Sequence, residues 1–195
     1  MNSRISELLE EIRKREEELA ELIQSSEAKI LYQLDGKKIR FEQAVRQAQQ
    51  QLKIGVFRWL RESNPRNVLS APIIYSMIVP LALLDLAVSV YQYLCFPLYK
   101  IARVRRSKYV LIDRHHLPYL NSIEKLNCAY CGYVNGLISY SREIVARTEQ
   151  YWCPVKHAHK VLDPHRRYAR FAAFGDAEAY QSIISRRDET DSRVP

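Results

Sequence analysis

The chain has 195 residues, 47% of them hydrophobic and 27% charged, with a formal net charge of +8. That length admits one ordinary domain or two small units, and the uneven placement of charge argues against a single compact core. Four cysteines in a chain this long do not make a disulfide scaffold, and five glycines leave no P-loop, GxSxG or dinucleotide-type glycine pattern.

The first thirty residues are acidic, with eight glutamates against five basic side chains, and no secretory signal is visible in them. Residues 3–27 read as an amphipathic helix. Ile5, Leu8, Leu9, Ile12, Leu19, Leu22 and Ile23 form an apolar stripe that suits a partner helix, in this chain or in another copy. Residues 29–41, KILYQLDGKKIRF, have β character around Asp35-Gly36, a pair that favours a two-residue hairpin turn. A helix–Gly–helix turn is the competing reading. Helix resumes from Phe41 to about Glu62 and becomes aromatic and basic at Phe57, Arg58, Trp59, Leu60 and Arg61, as an interfacial segment does. Asn64-Pro65 ends it.

Residues 67–99 contain no Lys or Arg, and Asp85 is their one formal charge. This run exceeds the ~20 apolar residues that span hydrocarbon. Tyr75, Tyr91, Tyr93 and Tyr99 could sit at headgroup level. Two topologies fit: a single span kinked at Pro80, or a re-entrant hairpin turning between Pro80 and Asp85. Lys53, Arg58, Arg61 and Arg66 precede the run, and Lys100, Arg103, Arg105, Arg106 and Lys108 follow it. Basic flanks on both sides favour the hairpin, with both ends cytoplasmic. An intramembrane Asp85 costs roughly 2.5–3.5 kcal/mol on insertion scales. It therefore calls for a neighbouring Ser or Tyr, a partner subunit or a lipid-linked substrate.

Residues 100–170 hold fourteen Lys/Arg against five Asp/Glu, an excess that suits anionic lipid headgroups better than nucleic acid. Residues 109–113 read as a short β-like run, the RHH at 114–116 as a turn and NSIEKLN as a short helix. Cys128 and Cys131 are spaced CxxC and followed by Gly132, while Cys153 and His157 are spaced CxxxH. Thiolates and an imidazole at such spacings fit a tetrahedral Cys3His zinc site in a reducing compartment, with His159 as a substitute ligand and iron or an iron–sulfur cluster as the alternative. Sharing one ion requires residues 132–137 to turn back along a helix that starts near Gly136 and reaches Gln150. Cys95 reads as a packing residue. Glu143 and Glu149 are not spaced for one helical face, and Glu143–Arg147 reads as a surface pair. The cluster Arg166, Arg167, Tyr168, Arg170 and Phe171 lacks a recognisable nucleic-acid module. The last ten residues, 186–195, read as disordered.

The expected fold is mainly α, divided at residues 1–66 (N-terminal helices), 67–99 (membrane segment), 100–185 (basic Cys/His unit) and 186–195 (tail). The expected function is a membrane-anchored, zinc-stabilised scaffold or adaptor on the cytoplasmic face, binding partner proteins or self-associating through its first helix. A metal-dependent, iron-redox enzyme on a membrane-bound substrate and a membrane-tethered nucleic-acid binder are the alternatives.

Overall fold

A computed structural model describes residues 3–27, 32–35, 38–41 and 43–192. The chain is mainly helical and falls into two compact units, Met1–Val56 with His116–Asn121, and Phe57–His115 with Ser122–Pro195.

In the first unit, α1 runs from Ser3 to Glu27. Surface pairs one turn apart support it, Arg13 with Glu10 and Arg15 with Glu18. Its apolar side chains at Leu8, Ile12, Leu19, Leu22 and Ile23 are exposed. Strands β1 (Tyr32–Asp35) and β2 (Lys38–Phe41) pair antiparallel, Tyr32 opposite Phe41 and Asp35 opposite Lys38. That register makes residues 36 and 37 the connection, one position later than Asp35-Gly36, and their conformation lies outside the described residues. Helix α2 spans Gln43–Gln51. The single helix expected as far as Glu62 is interrupted, because residues 52–55 leave helical geometry at Gly55. Glycine loses the most backbone freedom in a helix interior, at a cost of roughly 0.5–1 kcal/mol relative to Ala, which favours an interruption there.

The second unit begins inside α3, Val56–Glu62, at Phe57. Asn64 and Pro65 end it and start the next helix: the Asn64 side chain accepts from the Arg66 N–H at 3.1 Å, and Pro65 takes the first helical position. Helix α4 covers Pro65–Ser76 and α5 covers Ile78–Leu98. They follow one another through Met77 without the reversal that a re-entrant hairpin would need. The interruption precedes Pro80. Proline has no N–H to give the Ser76 carbonyl and its ring crowds that carbonyl, so the helix stops at Ser76 and restarts with Pro80 in its first turn.

At its far end α5 closes in a Schellman motif. The Ile101 N–H donates to Phe96 O at 2.8 Å and the Lys100 N–H to Pro97 O at 3.2 Å, with Lys100 at φ 51°. The chain then reverses into a strap, residues 101–113, which carries one short 3-10 turn at Arg106–Lys108 but no strand over 109–113.

Helix α6 is continuous from Ser122 to Trp152, 31 residues. It packs beside α4 and α5 in the same direction. Tyr75 meets Asn127, Asp85 meets Tyr133, Gln92 meets Tyr140 and Tyr91 meets Thr148. These separations, 48 to 57 residues along the whole length, are the signature of parallel neighbours. The strap runs the opposite way across α6 and crosses it at Gly132 and Gly136. A Cβ on Gly136 would lie 2.5 Å from the Tyr109 carbonyl oxygen, and one on Gly132 would lie 2.8 Å from that of Leu111. The glycines thus serve close backbone approach and do not bend the helix.

The core lies where helix, strap and helix meet: Phe96, Val104, Leu137, Tyr140 and Ile144, flanked by Leu81, Val88, Tyr91, Ile101, Tyr109 and Tyr133. After α6, residues 153–156 pair with Ala172: the Ala172 N–H donates to Pro154 O and the Lys156 N–H to Ala172 O, both at 2.8 Å. Helix α7, Ala177–Ser192, starts with the Ala179 N–H bonded to the Asp176 side chain at 2.9 Å. It carries helical backbone past residue 186, where a disordered tail was expected.

Candidate functional site

Three features could carry function: an apolar outer stripe, a polar seam behind it and a basic cleft on α6.

The outer stripe belongs to α4 and α5. Leu69, Ile73 and Met77 on α4 and its end, and Leu83, Leu86, Val90, Leu94 and Leu98 on α5, recur every three or four residues within each helix and are exposed. Together Pro65–Leu98 make one stretch of 34 residues whose most apolar 18-residue window has mean hydropathy 2.2, long and apolar enough to cross a membrane. No residue of its most apolar part is fully buried. Around the helix from this stripe, Leu81, Asp85, Val88, Ser89, Gln92 and Phe96 face inward.

The polar seam holds Asp85 and Gln92. Asp85 accepts from Arg106 Nη2 at 2.7 Å and Nε at 3.2 Å, and from the Tyr133 hydroxyl at 3.1 Å. The sequence called for a neighbouring Ser or Tyr at Asp85; Tyr133 is such a partner, Ser89 lies only at 3.5 Å, and a strap arginine 21 residues away makes Asp85 half of an ion pair. Burial, and then the bond to Asp85, push the Tyr133 phenol above its ordinary range and keep it a proton donor. Gln92, buried, accepts from the Val104 N–H at 2.9 Å and donates to the Val104 carbonyl at 3.4 Å and to the Tyr140 hydroxyl. One side-chain amide thereby satisfies both polar groups of a buried strap residue, as a neighbouring strand would.

Three of the four tyrosines expected at headgroup level are used internally. Tyr75 bonds Asn127 and packs edge-on against Tyr130, Tyr91 bonds Thr148 at 2.9 Å, and Tyr99 packs on Tyr151 and Trp152. Tyr93 is exposed, with the Arg103 guanidinium over its ring at 4.6 Å.

The basic cleft, about 660 Å³, is bounded on α6 by Ser139, Arg142 and Glu143 and across from it by Arg166, Arg167 and Arg170. Glu143 accepts from Arg147 and Arg167, each at 2.8 Å, so it is more than a surface pair. Burial raises its carboxyl, and the two guanidiniums more than offset that and hold it below the usual carboxylate range. Glu149 meets His165 Nε2 at 2.8 Å, while His165 Nδ1 accepts from the Arg167 N–H at 3.2 Å. Both imidazole nitrogens are therefore committed to holding the 165–167 turn.

The cysteines and His157 are placed differently from the expectation. Cys128 and Cys131 lie in the first third of α6, Cys153 just past its end, and no backward turn exists at residues 132–137. At 1.5 Å per residue, about 30 Å of helix separates Cys131 from Cys153, against Zn–S bonds near 2.3 Å. Within one chain, Cys128, Cys131, Cys153 and His157 cannot share one zinc or one iron–sulfur cluster. Among the described residues no group of three or more metal-ligating side chains is assembled. His157 instead stacks on Tyr168, whose hydroxyl accepts its backbone N–H at 2.6 Å.

No family model, curated protein or solved structure matches the chain. Its functional reading therefore rests on the geometry alone. Three residue roles were missed in the sequence: Arg106 as the partner of Asp85, Gln92 as the clamp of the strap, and the Gly132–Gly136 pair as its crossing point. The last had a signal: glycines four apart on a helix leave a smooth strip for another backbone.

Proposed function

We propose that the chain is a membrane-anchored adaptor of the cytoplasmic face, with α4 and α5 lying along the bilayer surface and both flanking regions on one side. The observation that carries this is the two-sidedness of Pro65–Leu98. Its outer stripe is continuous, apolar and uncovered, while its inner stripe is bonded along its length to a helix bearing charge.

Crossing the hydrocarbon would take that neighbour along. Arg106 meets Asp85 well inside the apolar stretch with its side chain 45% exposed, and Arg142 is equally exposed on α6. Each charge at membrane depth costs roughly 2.5–3.5 kcal/mol on insertion scales. Thirty-four helical residues are also about 51 Å long, well beyond a hydrocarbon core of about 30 Å. Lying in the interface removes both difficulties: the stripe enters the acyl boundary and the charged side stays in water. Basic residues before and after the stretch support a cytoplasmic, anionic surface. The exposed apolar stripe of α1 supplies the surface for a partner helix or a second copy.

Flotation with phosphatidylcholine/phosphatidylserine vesicles tests the anchor. Leu83→Glu/Leu86→Glu/Val90→Glu removes three side chains each worth about 1.5–3 kcal/mol when buried. The variant should keep its helical circular dichroism and stay at the bottom of the gradient. A folded variant that floats like the wild type would remove the reading.

A further inference from the structure

We propose that the cleft between α6 and residues 165–170 binds a phosphate-monoester group. Four guanidiniums face it, those of Arg142, Arg166, Arg167 and Arg170. Two carboxylates answer them: Glu143 takes Arg167 at 2.8 Å and Asp163 takes Arg142 at 3.1 Å. Arg166 and Arg170 are exposed and meet no carboxylate among the described residues. Two positive charges are thus left over at one cleft, which is the complement of a dianion.

The arrangement is held in place before any ligand arrives. The 165–167 turn is fixed by His165 between Glu149 and its own backbone, and Arg167 is fixed by Glu143 and by Gln150 at 2.6 Å. That leaves Arg166 and Arg170 on a rigid support, and Ser139 adds a hydroxyl on the facing helix. Guanidinium is the side chain best matched to phosphate oxygens, because its donors form a planar fork. The phosphodiesters of nucleic acid carry one charge each and repeat along a strand, so a compact cleft with two surplus charges suits them less well. The site uses no residue of the outer stripe and stands independently of the membrane reading.

Two arms distinguish a soluble phosphate from a lipid one, both with the full chain. In the first, detergent-solubilised chain is titrated with glycerol 3-phosphate by calorimetry. In the second, affinity is compared for vesicles containing phosphatidic acid and vesicles containing phosphatidylglycerol at matched surface charge. Saturable binding in the first arm identifies a soluble ligand, and preference for phosphatidic acid in the second identifies a headgroup; either supports the site. Arg166→Ala/Arg170→Ala should weaken the positive arm by about tenfold or more with an unchanged thermal midpoint, and Arg166→Lys/Arg170→Lys should recover part of it. If the alanine pair disturbs the fold, the lysine pair and the wild-type preference decide. Absence of binding in both arms, equal affinity for the alanine pair, or a single-stranded RNA that binds the cleft more tightly than either phosphate monoester would overturn the proposal.

Discussion

Gln92 is the residue on which the strap depends most. Its amide is the partner of both the N–H and the carbonyl of Val104, a residue buried beside Phe96, Tyr140 and Ile144. Gln92→Leu keeps the volume and removes both bonds to Val104 together with the one to the Tyr140 hydroxyl. The orphaned backbone groups should lower stability by about 1–3 kcal/mol, read as a lower urea midpoint. An unchanged midpoint would mean that the strap is held by Val104 packing alone. Glu143 makes a pH-dependent contribution of the opposite kind. Its folded-state carboxyl titrates below its unfolded-state value, so its stabilisation is in place above the ordinary carboxylate range and is lost as pH falls through the folded value. Wild type should therefore exceed Glu143→Gln in thermal midpoint at neutral pH, and the two should converge on acidification. Parallel curves at all pH values would contradict this.

At the scale of elements, the reversal after α5 decides whether helix, strap and helix can meet. Lys100 occupies the left-handed position that glycine usually fills in a Schellman motif, with Ile101 returning to the Phe96 cluster. A side chain there costs roughly 1–2 kcal/mol, so Lys100→Gly should raise the thermal midpoint, by an amount equivalent to about 1 kcal/mol. A lower midpoint would show that Lys100 contributes contacts outweighing its backbone strain. The same element shows what sequence could and could not supply. The apolar run 67–99 was legible, because so long a stretch with a single formal charge suits hydrocarbon better than a soluble core. The helical character of 138–150 was legible too, from the period of Leu137, Ile138, Ile144 and Val145. That Gly132 lies inside the same helix was not. A glycine reads alike whether it turns the chain or admits a neighbouring backbone, and only the carbonyls of Tyr109 and Leu111 decide which. That continuity is what keeps Cys131 and Cys153 apart within one chain. Asp85 plainly needed a partner, but choosing Arg106 among the basic residues of 100–108 requires the strap's direction, which no local pattern encodes.

At the scale of the whole molecule, the charge of +8 and the apolar outer stripe act together. In the proposed function the stripe supplies the affinity for a bilayer, and the basic flanks of residues 53–66 and 100–108 select an anionic one. The central claim is that Pro65–Leu98 lies along the membrane with one face in lipid and the other on α6. Spin labels at Leu69, Ile73, Leu83, Val90 and Leu98, placed one at a time in a chain whose four cysteines are replaced by serine, report immersion depth through oxygen accessibility in vesicles. In-plane helices predict a shallow and nearly constant depth at all five positions. A depth that rises to a maximum near Leu83 and falls toward Leu69 and Leu98 would contradict the account.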